Sequence, residues 1–239
     1  MPNADPTPDP TSETEPRVPF VLSQQQDGIA TLCFNRPQTR NAIGTPEDCR
    51  DIVDVVERIA ADASVSCLIL TGAGSAFSAG GNLKGMKTRS GIGRLDAPVA
   101  TRANYRHGVQ RVIRTLWDCE LPMIAAINGP AIGLGLDLAC ACDLRIAADS
   151  ATFASSFIRM GLIPGDGGAW ILPRAIGLAR ASEMILTGDT YDAACMLDWG
   201  LISQAVPATQ LINTAQQLAR RITANPARGL RLAQGGDGE

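Results

Sequence analysis

Apolar residues along this chain fall into two alternating rhythms. The unbroken runs Cys67–Leu70 and Met123–Ile127 read as buried strands, and Leu144–Ala148 as a further strand. Between and after them, Ile52, Val55, Val56 and Ile59 recur at helical spacing, as do Leu211, Ala215, Leu218 and Ile222. Near the start, Phe20–Ser23 and Ile29–Phe34 flank Asp27-Gly28, which predicts a hairpin. Thr45-Pro46-Glu47-Asp48 opens the first helix. Threonine caps it, proline takes the first helical position, and the acids face the positive end of the dipole. A strand is predicted over 65–71, and helices over about 103–117, from 135, and around 167–176, 179–187 and 192–199. The stretch 87–101 lacks periodicity and carries Gly, Arg, Ser and Pro, so it reads as a mobile loop over a site. No internal repeat stands out. The alternation predicts an α/β fold with a largely parallel sheet.

Composition narrows the class. The chain has 239 residues, the size of one domain or one domain with an appendage. Hydrophobic residues make up 45% and aromatics only 4%, so the core must be built from Ala, Leu, Ile and Val. A net charge of −3 gives no nucleic-acid footprint. No run of apolar residues is long enough for a membrane helix. Residues 1–16 are rich in Pro, Asp, Thr and Glu and read as a disordered tail; lacking a basic start and an apolar stretch, they are no signal peptide. The seven cysteines are odd in number, form no CxxC pair and occupy apolar positions, which implies reduced buried thiols in a cytoplasmic protein and no metal site.

Two glycine-punctuated segments about fifty residues apart carry the chemistry. Ala76-Phe77-Ser78-Ala79-Gly80-Gly81-Asn82 follows one buried run, and Asn128-Gly129-Pro130-Ala131-Ile132-Gly133-Leu134-Gly135 follows another. Glycine lets backbone approach a ligand and aim bare N–H groups at it. Two such segments meeting at one point would form an oxyanion hole. Two other motifs are imitated. Leu68–Phe77 resembles a dinucleotide fingerprint, but Phe77 fills the third glycine position and no ribose-binding acid follows about twenty residues later. Ser78 lies one residue short of a GxSxG elbow, and the lone His107 would have to complete its triad.

The ordered blocks resemble the crotonase (enoyl-CoA hydratase/isomerase) superfamily. They run from Phe34-Asn35-Arg36-Pro37 and Asn41-Ala42 through Phe77-Ser78-Ala79-Gly80 and Asn128-Gly129-Pro130-Ala131. They continue with Cys142-Asp143-Leu144-Arg145-Ile146-Ala147, Gly161-Leu162-Ile163-Pro164-Gly165-Asp166-Gly167-Gly168 and Leu186-Thr187-Gly188-Asp189, covering about residues 18–232. The resemblance implies a spiral of ββα turns at 17–205 followed by a C-terminal helical segment at 206–239, shortened relative to the family. It also implies an acyl-CoA thioester substrate, no metal or redox cofactor, and a homotrimer or hexamer weakened by the short C-terminus.

By the same resemblance, the backbone amides of Gly81 and Leu134 would polarise the thioester carbonyl and stabilise an enolate. Asp137 matches the first of two family glutamates, one methylene shorter, and Phe157 stands where the second would be. Asp166, in the Pro164–Gly168 turn, is the other candidate acid or base. Asn82 would brace the first loop. Arg36, Arg40 and Lys84 would face the CoA phosphates, with the backbone around Ala42, Ala79 and Gly81 holding adenine and pantetheine. The implied reaction is hydration or double-bond isomerisation of an enoyl-CoA. The alternative is a catalytically impaired acyl-CoA-binding homologue, suggested by Phe157, by leucine at the second amide and by the C-terminus.

Overall fold

The computed structural model describes residues 18–88, 90–92 and 98–235. The tail at 1–16, and part of the loop expected at 87–101, lie outside these residues. Strands β1 (Val21–Gln26) and β2 (Ile29–Phe34) form the hairpin, turning at Asp27 and Gly28, both with positive φ. Helix α1 (Pro46–Ala61) starts at a closed capping box. Asp48 N–H donates to Thr45 Oγ1, and the Asp48 carboxylate accepts from Thr45 N–H. Then come β3 (Cys67–Gly72), α2 (Leu83–Lys87), α3 (Pro98–Asn104), a π turn over Tyr105–Val109 and α4 (Gln110–Trp117). The chain continues through β4 (Met123–Ile127), β5 (Ala131–Ile132), α5 (Leu134–Cys140), β6 (Leu144–Ala148), β7 (Thr152–Ala154), α6 (Gly168–Ile176) and α7 (Leu178–Thr187). It ends with β8 (Tyr191–Asp192), α8 (Ala193–Asp198), β9 (Gln204–Val206), α9 (Leu211–Thr223) and α10 (Ala227–Gly235).

The main sheet has the order β1-β2-β3-β4-β6-β9, and only β1 runs antiparallel. The central strands β3 and β4 are buried nearly throughout, as their unbroken apolar runs require. The edge strand β1 exposes Ser23 and Gln24–Gln26, a polar face that discourages pairing with another chain. A second sheet joins β5, β7 and β8. One single bridge, Ser78 to Ala131, meets it at β5, and another pairs Gly81 with Ile43. Each turn of chain therefore adds a strand to the main sheet, a very short strand to the second, and then helix. This is the ββα spiral. The expectation of a loop through residue 101 is corrected, since α3 begins at Pro98.

The C-terminal helices close the core. Helix α9 lies across β2, β3, β4 and β6, burying Leu211, Ala215 and Ala219. Arg231 of α10 donates to the carbonyls of Ala60, Asp62 and Val65 at the end of α1.

One buried side chain fixes the loop after β3. Asn41 is fully buried with φ 57°. Its oxygen accepts from Arg36 N–H, and its amide donates to the carbonyls of Ala73, Ala76 and Phe77. Asn128 acts from the other side, accepting from Gly72 N–H and donating to Gly74 and Ala76. Removing Asn41 would strand buried carbonyls. Asn41→Ala is therefore expected to lose about 2–4 kcal/mol in urea unfolding, from several net bonds of about 1 kcal/mol each. Asn41→Gly should lose about 1 kcal/mol less, because glycine accepts the left-handed backbone.

Candidate active site

The loop held by Asn41 and Asn128 carries the first glycine segment to the second. Ser78 N–H donates to Pro130 O, and Ile132 N–H donates to Ser78 O. The buried Ser78 hydroxyl donates to Asn41 O and accepts from Gly80 N–H. That hydroxyl is engaged in the loop, while His107 is exposed on the π turn, so the serine–histidine reading fails. Helix α5 approaches this loop so closely that a methyl on Gly135 would overlap the Ser78 carbonyl. Only glycine fits there.

The bridge at Gly81 orients its amide. Ile43 N–H donates to Gly80 O, and Asn82 N–H donates to Ile43 O. In such a bridge the residue between the two bonds turns its own N–H to the opposite edge. That edge carries β5 and the start of α5. Leu134 is the first residue of α5, and an N–H in a first helical turn has no acceptor within its helix. A methyl built on Gly80 would lie 3.2 Å from Leu134 N. The backbone at Gly80, next to Gly81, thus adjoins the start of α5 at Leu134. Met86 of α2 covers Gly81 from above, its Cε standing where a Gly81 side chain would go.

Asp137 lies one turn beyond Leu134 on α5 and is fully buried. Neither of its oxygens has a hydrogen-bond partner, and neither does Asp166 Oδ1, among the described residues. Asp166 is 4% exposed and sits in the turn before α6. A methyl on Gly168, the first residue of α6, would overlap the Asp137 carboxyl, so the two acids meet across bare backbone. Burial first, then the charge of Asp166 and the side-chain interaction with it, raise the Asp137 carboxyl well above the usual carboxylate range. Burial also raises Asp166, but the proton on Asp137 restrains that rise. Burial thus favours the protonated form of the pair, at Asp137 more than at Asp166. Phe157 is half-buried at the same place, its Cζ 3.5 Å from where a Gly133 side chain would begin. The ring adds an apolar wall and no third acid.

The turn bearing Asp166 also floors a cavity of about 330 Å³. Ile113 and Trp117 of α4 and Trp170 and Ile171 of α6 form its walls, and the two indoles meet edge to face at 4.9 Å. Gln110, to which no motif in the chain points, reaches the same turn: its Nε2 donates to Gly165 O at 2.7 Å.

The remaining candidates separate. Arg40 and Lys84 are exposed near the first loop, and Arg40 O accepts from Ala79 N–H at 2.8 Å. Ala42 is buried beside Asn41. Asn82 caps α2 by accepting from Gly85 N–H, the bracing role expected of it. Arg36 differs: its guanidinium is 2.7 Å from the buried Asp48 carboxylate and lies over the Phe20 ring. Its charge is matched inside the fold, which leaves less of it for phosphate. All seven cysteines are free thiols, and burial pushes Cys140, nearest the site, up to about 12.

Two adjoining glycine loops and a buried acid pair sit together on an α/β fold. The family profile described as Enoyl-CoA hydratase/isomerase matches residues 24–234. The chain is 37% identical to 1,2-epoxyphenylacetyl-CoA isomerase of Escherichia coli K12 over 213 residues, 89% of this chain and 79% of that one. It is 35% identical to a probable enoyl-CoA hydratase of Mycobacterium bovis over 216 residues, 90% of this chain and 79% of that one. An enoyl-CoA hydratase crystal structure from Bacillus anthracis superposes with TM-score 0.83 at 31% identity, covering 90% of this chain and 81% of that one. The chain belongs to the enoyl-CoA hydratase/isomerase family.

The buried acid pair has a consequence for stability. Asp137 binds its proton more tightly when folded than when unfolded. Its contribution is therefore fully present below the unfolded value of about 4 and is lost as pH rises toward the folded value. Chemical denaturation from pH 4 upward should show stability falling by as much as about 1.4 kcal/mol per pH unit for one proton. Asp137→Asn, which cannot ionise, should flatten that slope.

Proposed function

We propose that this chain isomerises the double bond of an enoyl-CoA by moving a proton between the α and γ carbons through a bound enolate. The observation that carries the reading is the buried pair Asp137 and Asp166, with both Asp137 oxygens and Asp166 Oδ1 unpartnered among the described residues, near the loop at Gly80–Gly81 that adjoins Leu134. The amides of Gly81 and Leu134 form an oxyanion hole for the thioester oxygen. Losing one such donor typically costs about 3 kcal/mol of transition-state stabilisation. Asp166, the more easily ionised acid, takes the α proton; the C–H electrons shift toward the thioester oxygen as the enolate forms. The pair then holds two protons and returns one to the γ carbon as the carbonyl re-forms. Proton count and charge are restored, and neither a metal nor a redox group is required.

Phe157 supports isomerisation over hydration, because an apolar ring stands where a second carboxyl would hold water. Hydration has one observation in its favour: three buried carboxyl oxygens without partners could grip a water between them. The polar ends of CoA fall to Arg40, Lys84 and the backbone at Ala42 and Ala79, with Arg36 in a secondary part. Assembly into a homotrimer is proposed with the fold, and the exposed apolar residues Ile158, Leu162, Ile163, Leu178 and Leu186 offer surface for it.

Proton NMR in deuterated water on a panel of saturated and unsaturated CoA thioesters tests the reading. Deuterium should enter the α and γ positions as the double bond moves, without a hydroxyacyl product. Accumulation of 3-hydroxyacyl-CoA would establish hydration instead. Binding without any exchange would reduce the chain to an acyl-CoA-binding homologue. Asp137→Asn should keep thioester binding but slow turnover at least about 100-fold, the low end for general acid–base catalysis.

A further inference from the structure

The helix opposite the acid pair contains a defect that ordinary packing does not require. Between α3 and α4, Tyr105–Val109 form a π turn, with Gln110 N–H donating to Tyr105 O. Residues five apart on a regular α-helix point about 140° away from each other. A π turn widens the coil, so residues five apart share a face. Tyr105 and Gln110 are five apart. Gln110 reaches the Asp166 turn directly, donating to Gly165 O at 2.7 Å. Ile113, three residues on, packs on the same turn: a methyl built on Gly167 would lie 3.0 Å from its Cγ2. By the five-residue spacing Tyr105 shares the face of Gln110, and it is partly buried against the core. Its phenol is raised by burial and by the charge of Asp166. The widened turn is seated on the other side by Gly108, where a methyl would lie 3.5 Å from Cys49 Sγ of α1.

We propose that the π turn is the positioning element for Asp166, with Gln110 as the positioning residue that fixes its turn through the Gly165 carbonyl and Tyr105 as the side chain that shields its carboxyl from water. Neither residue needs to touch the reacting atoms. The inference rests on the proton-transfer role given to Asp166 above. Around Asp166 the titratable and charged groups are Asp137 from α5, Tyr105 from the π turn and the exposed Arg114 of α4 at the rim of the shared cavity. Loosening the turn admits water, eases ionisation of Asp166 and lowers its pKa, while misplacing the carboxylate. The two effects are separable, because the first moves a pH profile and the second a rate.

Gln110→Met keeps the shape of the side chain and removes only the donor. It should lower kcat about 10-fold with KM within about twofold, and move the acid limb of the kcat profile to lower pH. Gln110→Lys keeps a donor for Gly165 O and should recover kcat to within about threefold of the wild type. Tyr105→Ala, which leaves the Gln110 bond in place, should shift the acid limb in the same direction and serves if Gln110→Met does not fold. Thermal unfolding of each variant reports any purely structural loss, which would move neither the limb nor the lysine rescue. A Gln110→Met or Tyr105→Ala enzyme with wild-type kcat and an unmoved limb, in a background where Asp166→Asn is inactive, overturns the positioning inference alone. An Asp166→Asn enzyme with wild-type turnover overturns the role of Asp166 on which the inference stands.

Discussion

Two carboxyl groups shut away from water next to one another cannot both be charged, and the site is organised around that constraint. Asp137 is fully buried and Asp166 nearly so, and three of their oxygens find no partner among the described residues. In most proteins such groups would be a liability, since leaving a buried polar group unmade typically costs about 1–3 kcal/mol. Here the same isolation raises both carboxyls, Asp137 more than Asp166, which is the kind of shift that the proposed proton transfer draws on. The glycines at 135 and 168 belong to the same arrangement. One lets α5 press against the Ser78 carbonyl, and the other lets α6 press against Asp137. Side chains at either place would push the acids away from the amides.

The fold supplies this geometry through its short second sheet. That sheet is too small to contribute much core, with β5 and β8 only two residues each. Its bonds nevertheless set the direction of the backbone at Ser78, Gly81 and Ala131, where the site is made. The Asn41 and Asn128 amides hold the connecting loop from both sides. The main sheet and α9 provide the apolar burial that offsets these polar demands.

Much of this was legible in the residues. The strands expected at 123–127 and 144–148 form with those bounds, and Thr45–Asp48 is the capping box that opens α1. The two glycine segments do lie side by side, Gly80 against Leu134 and Gly135 against Ser78. Other features carried no signal. Two-residue strands have no periodicity to detect, so the second sheet and the repeat it creates were invisible. Helix α3 hides in a segment rich in Gly and Pro. Arg36 looked like a free cation because its partner, Asp48, is twelve residues away and already explained as a cap. Gln110 and Tyr105 could not be chosen, since only the π turn makes residues five apart neighbours.

Infrared difference spectroscopy of the free protein at neutral pH, compared with Asp137→Asn, tests the central claim most directly. A protonated carboxylic acid has its own carbonyl band, distinct from carboxylate. The account predicts that the folded wild type retains one such band at neutral pH and that Asp137→Asn loses it. No protonated carboxyl at neutral pH, or a band that survives the substitution unchanged, would contradict it.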